Sequence, residues 1–539
     1  MNDHDRSVVD LIDESVEKFS SRILLHETDE RVGDALLPSR DTTYGDLGAQ
    51  ARALAEALHH IGLTRGSRVA VLLDNCTELV ITEWACLLSG LVWVGLNVRT
   101  SVSELQRILD DCAPAALVYG ARLSDLVEAV QLPAGTLRIL AGPGGGSWGQ
   151  MLAEGRAVSP AGIGVVPPGP SEPVRIRYTS GTGGTPKGAV LPRRCYDASV
   201  TAVNDVVGPL RPDDVLVQVA PMTHASGALL LPHAAVGARA IVLRHFDVHQ
   251  LIDVIHARRA TCVFLVPTML IRLLEALENP SRLASLRTIV YGGASMPVDR
   301  LQRGLELLGP IFVQIYGLTE STWPVCALRR EDHLRKPGEV ESAWVRRLQS
   351  CGRPTAVGSV RIVDASSQDV AAGQVGELWV RGRNTMSGYW QLADHAAVAD
   401  TKGLDADGWM HTGDLGFAAD DGFVTIVDRL HDMIVSGGFN VYPREVESAL
   451  SRHEAVLEAA VVGRPDAQWG ETVHAAVVLR PGRPATADEL IGHCARILAG
   501  YKKPRSIEIV DRLPKNASGK ILRREIRDRL RDAPVRDAP

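Results

Sequence analysis

Positions 179–188 read TSGTGGTPKG: four glycines, four hydroxyl side chains and one lysine in ten residues. The run before them, Val174-Arg175-Ile176-Arg177-Tyr178, alternates apolar and polar side chains as a strand does. A strand therefore delivers the chain into a turn built of small residues. Glycines let successive backbone N–H groups approach phosphate oxygens with no Cβ in the way. Thr179, Ser180 and Thr182 add hydroxyl donors, and Lys187 adds a positive charge. The spacing departs from the GxxxxGK[ST] pattern, because Gly188 follows the lysine. The stretch reads as a phosphate-handling loop of another kind.

The flanking sequence supplies a scaffold for it. Leu47, Ala51, Leu54, Ala55, Leu58 and Ile61 recur at helical spacing, and Gly62 follows as a stop. Residues 69–73 read as a short buried strand, 103–111 as a helix and 115–119 as the next strand. Between about 215 and 315 the theme repeats. Strands are expected at 240–243, at 262–266 up to Pro267, and at 288–291 up to Gly292-Gly293, with a helix over 249–257. Such alternation predicts largely parallel sheets. From about 358 to 427 shorter strands take over, at 359–363, 377–381 and 423–427, and predict a small β-rich subdomain. Beyond Arg429 come a helix from Pro443, strands at 459–462 and 474–479, a helix over 488–499 and a basic helix over 520–531. These predict a separate small α/β domain. The glycine-rich stretch AGPGGGSWG at 141–149 lacks the strand-to-helix spacing of a dinucleotide loop and reads as a surface loop.

A chain of 539 residues is too long for one ordinary core, so at least two domains are expected. A net charge of −6 argues against nucleic acid as a general partner. The eight cysteines form no CxxC pair and no zinc pattern, and read as reduced thiols of a cytoplasmic protein. The N-terminal MNDHDRSVVD lacks the apolar stretch of a signal peptide. The apolar run at 86–98 contains glycines and is too short to span a bilayer, so it reads as a buried element.

Further motifs follow the loop. Pro221-Met222-Thr223-His224-Ala225-Ser226-Gly227 sets a histidine among small residues. Tyr291-Gly292-Gly293-Ala294 and Gln314-Ile315-Tyr316-Gly317-Leu318-Thr319-Glu320 each end a strand. Then come Gly376-Glu377-Leu378 through Gly388-Tyr389-Trp390, His411-Thr412-Gly413-Asp414, and Asp428-Arg429-Leu430-His431-Asp432. Last are Ser436-Gly437-Gly438-Phe439-Asn440 and Leu513-Pro514-Lys515-Asn516-Ala517-Ser518-Gly519-Lys520. In this order, over nearly the whole chain, they resemble the adenylate-forming superfamily, which contains acyl-CoA synthetases, peptide-synthetase adenylation domains and luciferases. The family loop is usually TSGTTGxPKG, and Gly183 stands here in place of its second Thr. Position 431 is usually Asp or Lys, and here it is His431.

The resemblance implies an α/β fold with a large N-terminal domain over 1–428, a hinge at 429–432 centred on His431, and a small mobile C-terminal domain over 433–539. It implies that Thr179, Ser180, Gly181, Thr182, Gly183, Gly184 and Lys187 handle the phosphates of ATP. Gly292, Gly293, Ala294, Gln314, Tyr316 and Gly317 would border the adenine, with the Tyr316 ring stacked on the base. Thr319 would contact phosphate and Glu320 would hold Mg²⁺. His224 would sit beside the acyl pocket, with walls from 223–227, 264–268, 292–296 and 317–323. Asp414 would accept from both ribose hydroxyls, Arg429 would contact ribose or phosphate, and Lys520 would serve adenylation. Gly437 and Gly438 would let the arm of coenzyme A pass close to backbone. The 376–390 segment would be mainly structural.

The implied activity is an AMP-forming acid–thiol ligase that activates a carboxylic acid with ATP and passes the acyl group to coenzyme A. The resemblance leaves room for a homo-oligomer. Other readings are a partial enzyme that only converts a supplied acyl-adenylate to the thioester, as Gly183 would favour, and a non-catalytic nucleotide-binding relative. Loading of a carrier protein and luciferase-like oxidation rank lower.

Overall fold

The computed structural model describes residues 6–28, 30–32, 35–37, 39–142, 146–158, 166–179, 186–391, 403–466, 468–515 and 521–532. The expected strand–helix alternation builds two sheets. The seven-stranded sheet has the order Gly388–Tyr389, Lys187–Pro192, Pro173–Thr179, Val92–Gly95, Arg68–Leu72, Ala116–Gly120, Leu137–Ala141. It is parallel from Pro173–Thr179 onward, and the two strands before that are antiparallel additions. The nine-stranded sheet has a parallel centre made by Val215–Gln218, Arg239–Val242, Cys262–Leu265, Thr288–Gly292 and Phe312–Tyr316. In a parallel sheet all strand ends of one kind lie on one edge. The motifs that follow 179, 218, 292 and 316 therefore leave their sheets at carboxyl ends, where open α/β sheets bind ligands.

Local signals set the helices. Thr43, Ser101 and Asp247 each cap a helix N-terminus by accepting from a backbone N–H. The apolar run at 86–98 is buried, as expected: it holds the end of helix Thr77–Ser89, a left-handed Gly90, and strand Val92–Gly95. Helix Thr77–Ser89 is buried on every side; it is mostly apolar, and its two carboxylates are paired, Glu78 with Arg40 and Glu83 with Arg175. One apolar cluster joins side chains of both sheets, such as Val69, Trp93, Leu216 and Val290, with Leu47, Leu54, Leu79 and Trp84 of the helices.

The chain packs as two compact units, residues 1–360 with 380–410, and residues 361–379 with 411–539. The first contains the two large sheets. The second contains most of a four-stranded sheet made from Gly358–Val363, Gly376–Gly382, Met410–Ala418 and Val424–Arg429. It also holds a smaller sheet in which Val456–Asp466 and Gly470–Leu479 form a long antiparallel pair. Helices Pro443–Ser451, Ala487–Ala495 and Arg523–Asp532 belong to it. Its core is a cluster around Ile434, Val446, Val461, Val477 and Leu490.

The 141–149 stretch corrects one expectation. Residues 143–145 lie outside the described set, but Gly146 begins a helix, Gly146–Val158, and Trp148 is buried within its first turn. A single large ring finding the core overrides Gly146 and Gly149, which favour a loop. Among the described residues no helix is long and apolar enough to cross a membrane. All eight cysteines are buried and unbridged.

Candidate functional site

Strands Pro173–Thr179 and Lys187–Pro192 are antiparallel, with Lys187 opposite Thr179 and Gly188 opposite Tyr178. Thr179 and Lys187 thus face each other at the mouth of the hairpin. Ser180, Gly181, Thr182, Gly183 and Gly184 lie outside the described residues, as does Lys520. A third strand extends the hairpin and sets Tyr389 opposite Ala189. That register brings the Tyr389 ring to Lys187, whose Nζ lies 5.3 Å from the ring centroid, a cation–π distance. The Tyr389 hydroxyl donates to Glu320 Oε1 at 3.0 Å. The Met386 N–H donates to the Glu320 carbonyl at 2.7 Å and anchors the backbone there. One tyrosine therefore joins the lysine of the loop to the carboxylate of the 314–320 motif. Sequence reading misses Tyr389, because only strand register reveals its neighbours.

Strands Thr288–Gly292 and Phe312–Tyr316 are parallel neighbours, with Tyr291 beside Gln314 and Gly292 beside Ile315. Gly292, Gly293 and Ala294 thus emerge next to Tyr316 and Gly317, and the short helix Thr319–Ser321 follows with Thr319 and Glu320. Gly292 has no room for a side chain, since a Cβ would stand 2.4 Å from the Ile315 carbonyl oxygen. Behind this edge the Tyr291 hydroxyl lies 2.9 Å from His333 Nε2 and 3.2 Å from Gln314 Oε1. His333 Nδ1 is 2.7 Å from the Arg329 carbonyl. That carbonyl sets the tautomer: Nδ1 donates, and Nε2 accepts from Tyr291. Burial pushes the His333 imidazole down to about 4, so it is neutral at pH 7.

His224 follows strand Val215–Gln218, and its Nδ1 is 2.9 Å from Thr223 Oγ1. His224 is exposed by surface area. The protein around it and the charge of Arg177 still disfavour the charged imidazole and push it down to about 4, so it too is neutral at pH 7. A cavity in this unit is lined by Arg177, Tyr196, Ser199, Ala228, Thr322 and Trp323. The expected wall segment 317–323 contributes Thr322 and Trp323 to it, and Phe264 stacks on Trp323 with centroids 5.9 Å apart. Sequence reading misses Arg177 and Tyr196. A charged residue in a strand and a helical tyrosine carry no distinguishing pattern.

The remaining candidates lie in the second unit. Asp414 and Arg429 face each other across the pair Met410–Ala418 and Val424–Arg429. The Arg429 guanidinium Nε is 2.6 Å from Asp414 Oδ1, and Asp414 is buried. Gly413 has φ +68°, and its N–H donates to Glu377 Oε1 at 3.0 Å. The structure thus brings together the two residues expected at the ribose. His431 is exposed, and its carbonyl accepts from Arg527 at 3.0 Å. The neighbouring Asp432 is paired with Arg527 at 2.6 Å and Arg523 at 3.1 Å. Gly437 and Gly438 form the two-residue turn between Ile434–Ser436 and Phe439–Val441, at φ +58° and +82°. Positive φ at both positions suits this tight hairpin turn and favours glycine. The rings of Phe439, Trp469 and Tyr501 are exposed in this unit; Phe439 and Tyr501 lie 4.8 Å apart, and the Gly437 N–H donates to the Trp469 carbonyl.

Known proteins resemble this chain over nearly its whole length. Residues 13–390 match the AMP-binding enzyme family and residues 445–520 match the AMP-binding enzyme C-terminal domain. A feruloyl-CoA synthase of Amycolatopsis sp is 36% identical over 95% of this chain and 97% of its own. ATP-bound MatB from Rhodopseudomonas palustris superposes with a TM-score of 0.84 at 27% identity, covering 98% of this chain and 99% of that one. The o-succinylbenzoate CoA synthetase MenE from Bacillus subtilis, in complex with its acyl-adenylate intermediate OSB-AMP, gives a TM-score of 0.80 at 29% identity, covering 97% and 98%. A family match over most of the chain, together with a relative of this identity and coverage, is sufficient: the protein belongs to the AMP-binding enzyme family.

Proposed function

We propose that this chain is an AMP-forming acid–thiol ligase whose N-terminal part aligns ATP with a carboxylic acid and whose acyl acceptor is coenzyme A. The observation that carries the reading is the cluster at the hairpin mouth, where Tyr389 joins Lys187 to Glu320. A cation and a carboxylate held by one ring at the mouth of a glycine-rich turn suit a polyphosphate and its counter-ion.

The reaction has two halves. A carboxylate oxygen of the acid attacks the α-phosphorus of ATP, the bond to the bridging oxygen breaks, and pyrophosphate leaves. The sulfur of coenzyme A then attacks the acyl carbon, the bond to the AMP oxygen breaks, and the thiol proton goes to solvent. No protein nucleophile is required, so the side chains act by alignment and by charge placed where negative charge develops. Lys187, with Thr179, Ser180 and Thr182, would hold the departing phosphates, and Thr319 would donate to phosphate. Tyr316 would cover the adenine, whose edge would meet Gly292, Gly293, Ala294 and Gln314. Asp414 and Arg429 would hold the ribose. Lys520 would stabilise the charge that develops during adenylation. His224, neutral at pH 7, would line the acyl pocket without adding a charge to it.

Magnesium fits the residues present. Among the described residues no three His, Cys, Asp or Glu side chains cluster as a metal cage. Glu320 would stand at the phosphate end of the site, and Mg²⁺ commonly takes one or two carboxylates with the rest of its shell from phosphates and water. The ion would neutralise phosphate charge. Glu320 would hold it, and Tyr389 would orient Glu320.

For the second half, the turn Gly437-Gly438 would face the thiol arm after the chain turns at 429–432, with His431 as the hinge. The domain boundary at 428 belongs to this proposal. The two named ligases use acids as different as ferulate and o-succinylbenzoate at 36% and 29% identity, so the acid does not transfer from either.

The test is a reaction of the full chain with ATP, Mg²⁺, coenzyme A and a panel of fatty, aryl and polycyclic acids. AMP, pyrophosphate and a coenzyme A thioester should appear in equal amounts, and Lys520→Ala should sharply slow pyrophosphate release. A folded protein that makes no thioester from any acid, nor from a pre-made acyl-adenylate, refutes the reading. Turnover of the pre-made adenylate alone would assign the partial reaction that Gly183 favours.

A further inference from the structure

Asp111 stands where a carboxylate is disfavoured. It lies in the last turn of helix Val102–Cys112, which contains no basic residue. The negative end of the helix dipole is there, and burial pushes the Asp111 carboxyl above its ordinary value. Two rings answer it. The Tyr178 hydroxyl donates to Asp111 Oδ2, and the Trp390 indole Nε1 donates to the Asp111 carbonyl at 3.0 Å. The helix end is itself held. The Arg68 guanidinium donates to the Cys112 and Ala113 carbonyls at 2.8 and 2.7 Å, and it lies 5.3 Å from the centroid of the Trp390 ring.

These two rings form the back of the hairpin that carries Lys187. Side chains alternate across a strand. Thr179, Lys187 and Tyr389 share the front of the hairpin and its added strand, consistent with the contact between Lys187 and Tyr389. Their chain neighbours Tyr178, Gly188 and Trp390 share the back. Gly188 is opposite Tyr178, and a Cβ there would stand 3.0 Å from the Tyr178 Cζ and 2.7 Å from Ile176 Cγ2. The residue after Lys187, which is Ser or Thr in the GxxxxGK[ST] pattern, is therefore a glycine that leaves room for the Tyr178 ring. The Trp390 N–H donates to the Gly188 carbonyl at 2.6 Å. Tyr178 and Trp390 pack with Ile176 and Val190 in one apolar cluster. Thr179 and Tyr389 are thus each one residue from a ring that Asp111 holds, and Lys187 is one residue from the glycine between those rings.

We propose that Asp111 is a positioning residue for adenylation: by fastening Tyr178 and Trp390 behind the hairpin, it fixes Thr179, Lys187 and Tyr389 at the phosphates of ATP. The inference rests on the ligase reading above and adds a residue to its first half. A displacement of about 1 Å at a positioned group can cost a hundredfold in rate. The side chain of Asp111 acts through its bond to Tyr178. The bond to Trp390 uses the main chain and survives substitution at 111.

The experiment is a double-mutant cycle on the full chain, with Asp111→Ala, Tyr178→Phe and their combination. Pyrophosphate release is followed against Mg²⁺ATP concentration, with the acid of the panel above that the wild type uses best. Thioester formation is followed separately from the pre-made adenylate of that acid, and thermal unfolding checks the fold. Each single variant should lower kcat/KM for ATP by about tenfold. The double variant should lie within about twofold of the slower single, because both changes remove the same bond. Thioester formation from the adenylate should stay within about twofold of wild type. Asp111→Asn keeps an acceptor for the Tyr178 hydroxyl and should return kcat/KM to within about threefold of wild type. If Asp111→Ala does not fold, Tyr178→Phe set against Asp111→Asn is read by the same two rates. An unchanged pyrophosphate rate in folded single variants, single losses that multiply in the double variant, or equal slowing of both halves overturns the inference. A wild type that releases no pyrophosphate with any acid instead refutes the adenylation half of the ligase reading, and the inference falls with it.

Discussion

The Tyr389 hydroxyl is a small target with a calculable effect. Tyr389→Phe removes one hydrogen bond to the Glu320 carboxylate, 3.0 Å long, and leaves the ring beside Lys187 in place. A hydrogen bond to a charged group contributes about 1.5–3 kcal/mol net. If Glu320 acts on the phosphates as proposed, that loss falls on the adenylation half, and each 1.36 kcal/mol is a factor of ten in rate. Adenylation kcat/KM should drop about tenfold to a hundredfold, and the Mg²⁺ concentration for half-maximal rate should rise. Thioester formation from a pre-made acyl-adenylate involves no pyrophosphate and should change by less than about twofold. The assay is rapid-quench pyrophosphate release set against thioester formation, with thermal unfolding as the check on folding. A folded variant with an unchanged pyrophosphate rate, or with both halves equally slowed, would refute the placement of Tyr389 at the phosphates.

Two more predictions follow from particular contacts. Gly437→Ala would hold a Cβ at φ +58° and 2.7 Å from the Trp469 ring, so the turn should be destabilised by about 1–2 kcal/mol; coenzyme A transfer should slow more than pyrophosphate release, and equal slowing of the two would count against a thiol-facing turn. His333 and His474 are buried, and that burial pushes both imidazoles down to about 4. The unfolded chain binds those protons near 6.5 and the folded chain only near 4, so stability is full above pH 6.5, falls on acidification through that window, and levels off below 4, by about 3 kcal/mol per histidine. The urea midpoint followed by tryptophan fluorescence should therefore fall between pH 6.5 and 4.5, less steeply in His333→Gln, and a midpoint that is flat across the window would contradict the buried neutral imidazole.

Much of the fold was legible because its signals are local. The strand before the glycine-rich loop, the helices capped by Thr43 and Asp247, and the strands that stop at Gly293 and Pro267 all announce themselves in a few residues. Strand Met410–Ala418 was not legible. Its sequence, MHTGDLGFA, has two glycines and no alternation, and it is set by pairing with Val424–Arg429. The candidate site divides in the same way. Glu320 and Lys187 stand in dense motifs that a reader can find. Tyr389 reaches Glu320 across 69 positions of sequence, and nothing short of register puts it there.

The central claim is that the acid is joined to AMP before it is joined to the thiol. It is tested most directly with an acid labelled with ¹⁸O in its carboxyl group, supplied with ATP, Mg²⁺ and coenzyme A to the intact chain. The account predicts one labelled oxygen in the phosphate of AMP, none in pyrophosphate, and a thioester that keeps the other. Unlabelled AMP beside a formed thioester, or label in inorganic phosphate with ADP as the nucleotide product, would contradict it.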